Sequence, residues 1–349
     1  MLKSLGLENF TVFPDARLTF GGNLNIVVGE NGSGKTHLLK AAYCGIAVSA
    51  RKNGGGAGRP GKSQWESALA DKLQGVFRPD HIGRLVRRKK GRNKFGLSYG
   101  FDEPALDLAL EVSSLANVSV KKVPSTRVVS TSVFLPTREL LTISPGFVSL
   151  YETTHLPFEE TCRDTCVLLG APLAKGPREA RIKKLLAPLE TAMGGKLELD
   201  RAGRFYLNLT TGSMEMYLVA EGLRKLATIA RLIATGSLLN KGYLFWDEPE
   251  SNLNPKIIKT VARTILQVAK NGIQVFIATH SLFLLRELHI LQQQEFQQLD
   301  TMCFGLHIGA EGSVAVKQGA TMDDIGSIAA LDEDLQQSDR YVDVEMGAA

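Results

Sequence analysis

Two short segments, far apart in the chain, carry the chemistry that can be read from residue types alone. They are Gly29-Glu30-Asn31-Gly32-Ser33-Gly34-Lys35-Thr36 and Tyr243-Leu244-Phe245-Trp246-Asp247-Glu248-Pro249-Glu250. The first follows an apolar run at 24–28 and opens into a helix-forming stretch, the position of a phosphate-cradling loop between strand and helix. Its glycines let backbone N–H groups wrap phosphates, and the helix N-terminus adds partial positive charge. Asn31, Gly32, Ser33 and Gly34 form the cradle, Lys35 reaches the β/γ-phosphates, and the Thr36 hydroxyl ligates Mg²⁺. The second segment is a buried-type strand ending in adjacent acids, costly unless the acids hold a cation or move protons. Asp247 is expected to hold Mg²⁺, directly or through a bound water, and Glu248 is the base that polarises the attacking water. Together the two segments imply ATP hydrolysis.

Two further clusters refine this expectation. Thr279-His280-Ser281 ends an apolar run at 273–278, which brings His280 to the same sheet edge as Glu248, in reach of a γ-phosphate or water. Ahead of the acidic strand, Ala220-Glu221-Gly222 opens a helix over 223–233. This order, with Ser251-Asn252-Leu253-Asn254 after the acids and Leu7-Glu8-Asn9-Phe10 at the start, resembles ABC-class ATPase heads, most closely the RecF, SMC and OLD-like group. The resemblance covers residues 1–50 and 130–290. It implies an α/β fold: an ABC-type P-loop NTPase head with a mixed central sheet, an N-terminal antiparallel β lobe and a helical arm bearing the signature. It also implies ATP and Mg²⁺ as cofactors and an ATP-promoted, head-to-tail homodimer in which Ala220, Glu221 and Gly222 complete the partner's site. The sequence departs from the family at Ala220, where a serine is usual, and at Asn254, where transporter heads carry Asp. No glutamine loop is evident; Arg138 and Glu139, in Pro136-Thr137-Arg138-Glu139, are the candidate substitutes for sensing phosphate or metal, or else a solvated turn.

At 349 residues the chain can bury one large core or two modest ones. No apolar run approaches the roughly 18 residues of a membrane helix, and no signal peptide is evident, so a cytoplasmic protein without membrane contact is expected. Four cysteines suit reduced thiols better than a disulfide framework. Cys162 and Cys166 share a helical face; burial of that face explains them better than a metal pair with His155. Charge is uneven. Between Arg51 and Lys94, 13 Lys/Arg meet three acids, a net +10 that leaves the remainder at −5. Such a basic insertion, with Arg84, Arg87, Arg88, Lys89, Lys90 and Arg92 at its centre, suits nucleic acid, an acidic protein surface, or a solvated loop.

The elements that must position these residues follow from periodicity. Strands are expected at 2–10, 16–20 and 24–28, helices at 35–48 and 66–74 with an amphipathic stretch at 81–86, and an antiparallel lobe from 94–100, 106–112 and 118–123 continued by 128–135. Helices at 157–169 and 177–193 precede a hairpin, 197–199 with 205–209. A helix over 282–291 and a strand pair at 301–308 and 312–317 close the body. The division is a core of 1–50, 130–145 and 220–310, an insertion and lobe at 51–129, an arm and hairpin at 146–219, and an acidic tail at 318–349 in which Asp332, Glu333 and Asp334 are solvated. No heptad persists, which excludes a long coiled-coil arm. The function expected is a nucleotide-gated ATPase dimer controlling a partner effector, a nuclease or toxin, in phage defence. The alternative is a RecF-like DNA-binding ATPase in repair; a transporter subunit or a module without turnover fits the motifs less well.

Overall fold

The computed structural model describes residues 1–50, 61–88, 93–127, 130–154, 156–176, 179–239 and 241–346. The chain opens with β1 (Leu2–Phe10), β2 (Phe13–Thr19) and β3 (Leu24–Gly29), then α1 (Lys35–Ala50) and α2 (Lys62–Phe77). Next come β4 (Lys94–Phe101), β5 (Leu108–Ser113), β6 (Val118–Lys122) and β7 (Thr131–Leu135). The arm holds α3 (Ser144–Thr153), α4 (Glu160–Leu169), α5 (Glu179–Met193), β8 (Gly195–Leu199), β9 (Phe205–Leu209) and β10 (Gly212–Glu215). The remainder is α6 (Glu221–Ala234), β11 (Gly242–Asp247), α7 (Pro255–Lys270), β12 (Ile273–Thr279), α8 (Leu282–Glu295), β13 (Thr301–Ile308), β14 (Val314–Gly319) and α9 (Ala329–Glu345).

The central sheet runs β14-β13-β3-β12-β11-β7 and is mixed, because β14 alone is antiparallel to its neighbour. β3, β11 and β12 are buried along their whole lengths, which is why they read as unbroken apolar runs. Their register places the chemistry. Asp247 pairs with Ala278, and Thr279 with Val28, so the three parallel strands end level. The phosphate loop, the acids and the Thr-His-Ser turn therefore leave one sheet edge, where open α/β sheets bind ligands.

The antiparallel lobe, β2-β1-β4-β5-β6, closes a second core over α1 and α2. Tyr99 on β4 donates to the Ala41 carbonyl of α1 at 2.8 Å. The expected continuation of this lobe through 128–135 is corrected: β7 pairs in parallel with β11 in the central sheet, and residues 128 and 129 lie outside the described set. Its Val133, Phe134 and Leu135 are all buried, a pattern that fits a covered sheet rather than a lobe edge.

The helices form for identifiable reasons. Asn254 caps α7, its side-chain oxygen accepting from the Ile257 amide at 3.0 Å, with Pro255 at the first helical position. Ser281 caps α8 through the Leu284 amide in the same way. Helix α3 lies in the stretch expected to form the helical arm, ahead of the two helices delimited there; Pro145 and Gly146 (φ +75°) interrupt its start. The longest described helix, α9, has 17 residues, in keeping with the absence of a coiled-coil arm. The tail expected to be a solvated terminus is thus largely helical, and Glu333 and Asp334 are exposed on it.

Burial changes the meaning of the basic stretch. Lys72, counted within it, is only 1% exposed and lies between Glu160 (3.0 Å) and Asp164 of α4, with the Tyr43 hydroxyl donating to Asp164 at 2.5 Å. It joins α1, α2 and α4. Lys94 pairs with Glu111 at 2.8 Å. Cys162 and Cys166 are buried in the main core as free thiols. Among the described residues no group of His, Cys, Asp and Glu could hold a metal ion as a cluster, and no helix is long and apolar enough to cross a membrane.

Candidate active site

The phosphate loop takes its shape from glycines at positive φ, Gly32 at +83° and Gly34 at +89°. Gly34 also admits the tip of the β1–β2 hairpin: a Cβ there would lie 2.6 Å from a Val12 methyl. Lys35 is buried and donates to the Gly29 and Glu30 carbonyls at 2.8 and 3.0 Å. Burial lowers its pKa, opposed by the nearby Glu248, Asp247 and Glu250. Beside it, Thr36 donates to Asp247 at 2.7 Å across the gap between α1 and β11, which sets the two expected metal ligands side by side. Burial raises the Asp247 pKa, while the Thr36 hydrogen bond opposes the rise.

Glu248 follows with φ at +46°, a left-handed backbone unusual for a residue with a side chain and typical of strained functional positions. The turn is held by Glu248 N–H donating to the Ala278 carbonyl at 2.9 Å, and Ser251 N–H to the Glu248 carbonyl at 3.1 Å. His280 Nδ1 lies 3.5 Å from Glu248 Oε1 and 3.9 Å from Glu250 Oε1. Asn31, Gly32, Gly34, Lys35, Thr36, His37 and Glu248 line an open cleft of about 270 Å³.

The cleft fits a metal–nucleotide by a test internal to the chain. Four buried polar atoms without partners belong to the loop and strand ends that border it, Ser33 Oγ, Asp247 Oδ1, Glu250 Oε2 and His280 Nδ1, and a fifth, His37 Nδ1, to its lining. Unpaired buried groups cost about 1–3 kcal/mol each, so the free oxygen of Asp247, beside Thr36, fits a site that a cation completes. Residues 31–36, Asp247, Glu248 and His280 are thus brought together.

The remaining candidates are placed differently. Ala220 is the exposed N-cap residue of α6, Glu221 is half-buried and accepts from the Asn252 amide at 2.9 Å, and Gly222 is buried. A Cβ on Gly222 would meet Leu253 Cδ2 at 3.0 Å and the Asn252 carbonyl at 3.3 Å, so this glycine serves close packing within its own subunit. Lys225, one turn on, donates to the Ser251 carbonyl at 2.7 Å and to its hydroxyl. Glu139 is ion-paired to Arg224 of α6 at 3.1 Å and accepts from Thr142, while Arg138 is exposed over the Phe158 ring. These two residues thus engage α6 and the arm. Arg84 and Arg88 are exposed and Arg87 half-buried, none with an ion-pair partner among the described residues; Lys89, Lys90 and Arg92 lie outside that set, as does His155. Glu250 and Lys225 were not singled out from sequence. A third acid three residues after Asp247 was the available signal for Glu250.

A phosphate loop and a strand-end acid pair on a mixed sheet, flanked by an antiparallel lobe, define an ABC-class ATPase head. Comparison with known proteins agrees. The family described as "AAA domain, putative AbiEii toxin, Type IV TA system" matches residues 76–286, and one described as "AAA domain" matches residues 4–59. The first match spans more than half of the 349 residues, and the chain belongs to that AAA-domain family. Over 43 residues it is 42% identical to the DNA replication and repair protein RecF of Cytophaga hutchinsonii, and over 42 residues 45% identical to that of Pediococcus pentosaceus. Each match covers 12% of this chain and 11% of the relative, so the chain matches about a tenth of the curated relatives' length. Among solved structures, the SMC head bound to the C-winged helix domain of ScpA gives a TM-score of 0.55 at 13% identity, covering 92% of this chain and 98% of that one. The Smc head with an extended coiled coil, bound to the C-terminal domain of ScpA derived from Pyrococcus furiosus, gives 0.54 at 12% identity, covering 92% and 96%. At these identities the likeness is one of fold, and the fold is that of the RecF/SMC group of ATPase heads.

Proposed function

We propose that the chain binds and hydrolyses ATP with Mg²⁺, in the cytoplasm, as half of an ATP-promoted, head-to-tail homodimer that controls a partner effector, a nuclease or toxin, in phage defence. The observation that carries the hydrolysis is the convergence of Lys35, Thr36, Asp247, Glu248 and His280 at the level ends of β3, β11 and β12. Asn31 to Gly34 would hold phosphate oxygens through backbone N–H groups, and Lys35 would exchange its two carbonyl partners for phosphate. Thr36 and Asp247 would hold Mg²⁺, which when bound neutralises charge developing on the phosphoryl oxygens. Glu248 would orient and deprotonate the attacking water, and His280 would contact that water or the γ-phosphate.

Dimerisation is supported by the exposed start of α6 and by Tyr217 and Leu218 just ahead of it, 73% and 72% exposed, which association would cover. A toxin as the controlled effector is supported by the toxin and the toxin–antitoxin system named in the family's description. A second reading, a RecF-like DNA-binding ATPase, is favoured by one observation: Arg84, Arg87 and Arg88 have no ion-pair partner among the described residues and stand beside the β1 end, where Arg87 N–H donates to the Asn9 carbonyl at 2.7 Å.

The test is Glu248→Gln. ATP binding should persist while hydrolysis slows roughly 10²- to 10⁴-fold, as for loss of a general base. Light scattering should then show a dimer with ATP and a monomer without it. An unchanged rate would place the base elsewhere; a strict monomer in both states would refute shared sites.

A further inference from the structure

Three carboxylates leave the end of β11, and the reading above uses two. The third, Glu250, is 8% exposed, and a buried carboxylate needs compensating contacts. Its Oε1 accepts from the Thr279 hydroxyl at 2.6 Å and faces the His280 backbone N–H at 3.4 Å. Thr279 is itself fully buried, and its hydroxyl oxygen accepts from the Ser281 N–H at 3.0 Å. Glu250 therefore bonds Thr279 and His280 directly, and Thr279 in turn holds Ser281, at the exit of β12. The imidazole of His280 has no such anchor: its Nδ1 makes no hydrogen bond, and its side chain is 42% exposed. The ring stands beside Glu248 (3.5 Å) and Glu250 (3.9 Å) without a hydrogen bond to either, and the backbone that carries it is the part that Glu250 holds.

We propose that Glu250 is a positioning residue that acts through Thr279 and the 279–281 backbone to hold His280 at the reacting edge. This rests on the ATPase reading above. Of the residues expected to touch phosphate, Glu250 faces His280 alone, through its backbone N–H at 3.4 Å and, more loosely, its ring Nδ1 at 3.9 Å, while the side-chain hydroxyl that donates to it is that of Thr279. The arrangement links the exit of β11 to that of β12, so the base and the histidine move as one unit rather than as two independent loops. Displacing a reacting group by about 1 Å can cost on the order of 10²-fold in rate, which sets the scale expected here.

The experiment compares Glu250→Ala, Glu250→Gln, Thr279→Val, His280→Ala and the Glu250→Ala/His280→Ala double variant. In ATP turnover, Glu250→Ala and Thr279→Val should lower kcat roughly 10- to 100-fold with KM within about threefold. Glu250→Gln, which keeps an oxygen for Thr279, should recover to within about threefold of the parent. The double variant should be no slower than His280→Ala alone, because both changes remove one function. Independently of turnover, the imidazole nitrogen signals of His280 in nucleotide-free protein, assigned with His280→Ala, should shift or broaden in Glu250→Ala and Thr279→Val and return in Glu250→Gln. Thr279→Val guards against loss of fold in Glu250→Ala, since it removes only the hydroxyl. Multiplicative losses in the double variant, or an unmoved His280 signal, would overturn the proposal. If the parent protein has no turnover, the ATPase reading fails instead, and the His280 signals still decide whether Glu250 positions the ring.

Discussion

The phosphate edge and the basic stretch between Arg51 and Lys94 both stood out by composition, yet the structure treats them oppositely. At the edge, residues from three strands converge because parallel register leaves their ends level. Along the basic stretch, the same charge sign is divided among unlike environments. Lys72 is buried against α4, Lys94 is paired with Glu111, Arg78 donates to the Leu156 carbonyl at 3.0 Å, and Arg84 and Arg88 are exposed. A motif whose spacing is tied to a strand end specifies geometry, whereas a charge count specifies only a total.

The largest effect should come at the edge. Lys35→Ala should abolish ATP binding and turnover, because a charge-assisted phosphate contact is worth roughly 1.5–3 kcal/mol and also positions its neighbours. Isothermal titration with ATP and a phosphate-release assay check this. Near-normal hydrolysis would break the assignment of the cleft and, with it, one side of the comparison.

Next is a basic residue whose role is structural. Lys72→Met leaves Glu160 and Asp164 without their buried partner, and removing one member of a buried pair costs about 3–5 kcal/mol. Denaturant unfolding should show a loss of that order. A loss near zero would mean that Lys72 belongs with the exposed arginines after all.

The difference between the two regions also explains what could be read beforehand. The central strands were legible because each is a short apolar run buried on both faces, and Gly32, Gly34, Lys35 and Thr36 permit few alternatives at a strand–helix junction. The fate of Lys72 was not legible, since its partners Glu160 and Asp164 lie on a helix distant in sequence and only tertiary packing pairs them. β7 was misassigned to the lobe for a related reason: Val133, Phe134 and Leu135 fit either sheet by pattern, and the crossover that decides between them is a property of topology. Gly222 reads as a partner-facing signature by sequence order alone, and its close approach to Leu253 and the Asn252 carbonyl is a further constraint on its size that only the folded chain shows.

A smaller effect separates function from stability at the edge itself. The folded-state pKa of Asp247 is raised, chiefly by burial. The folded chain therefore holds its proton more tightly than the unfolded chain, a contribution fully present at low pH and lost as pH rises through the folded value. At neutral pH the ionised carboxylate is a net cost that metal binding offsets. Asp247→Asn should therefore stabilise the nucleotide-free protein by about 0.5–2 kcal/mol at pH 7.5, with the gain shrinking toward pH 4, while turnover is lost. Thermal melts at both pH values measure the difference; a gain that grows on acidification would contradict the sign.

The smallest effect on fold and turnover is expected at Arg84, Arg87 and Arg88, where the comparison is sharpest. These side chains have no ion-pair partner among the described residues, and the segment is fixed through its backbone, by the Phe10–Val86 bridge and the Arg87–Asn9 hydrogen bond. Replacing all three with Ala should leave the melting temperature and basal ATPase rate nearly unchanged, since exposed charges contribute little to stability. If the patch lies along duplex DNA, three phosphate contacts contribute about 2.7 units to the log–log salt slope, and the triple variant should flatten the slope by that amount. The loss should be nearly the same for every sequence, because phosphate contacts carry no base information. Fluorescence anisotropy with two unrelated duplexes across a salt series measures both features. An unchanged slope together with loss of an acidic protein partner would make the segment a protein-docking surface, and the RecF-like reading would lose the one structural observation that favours it.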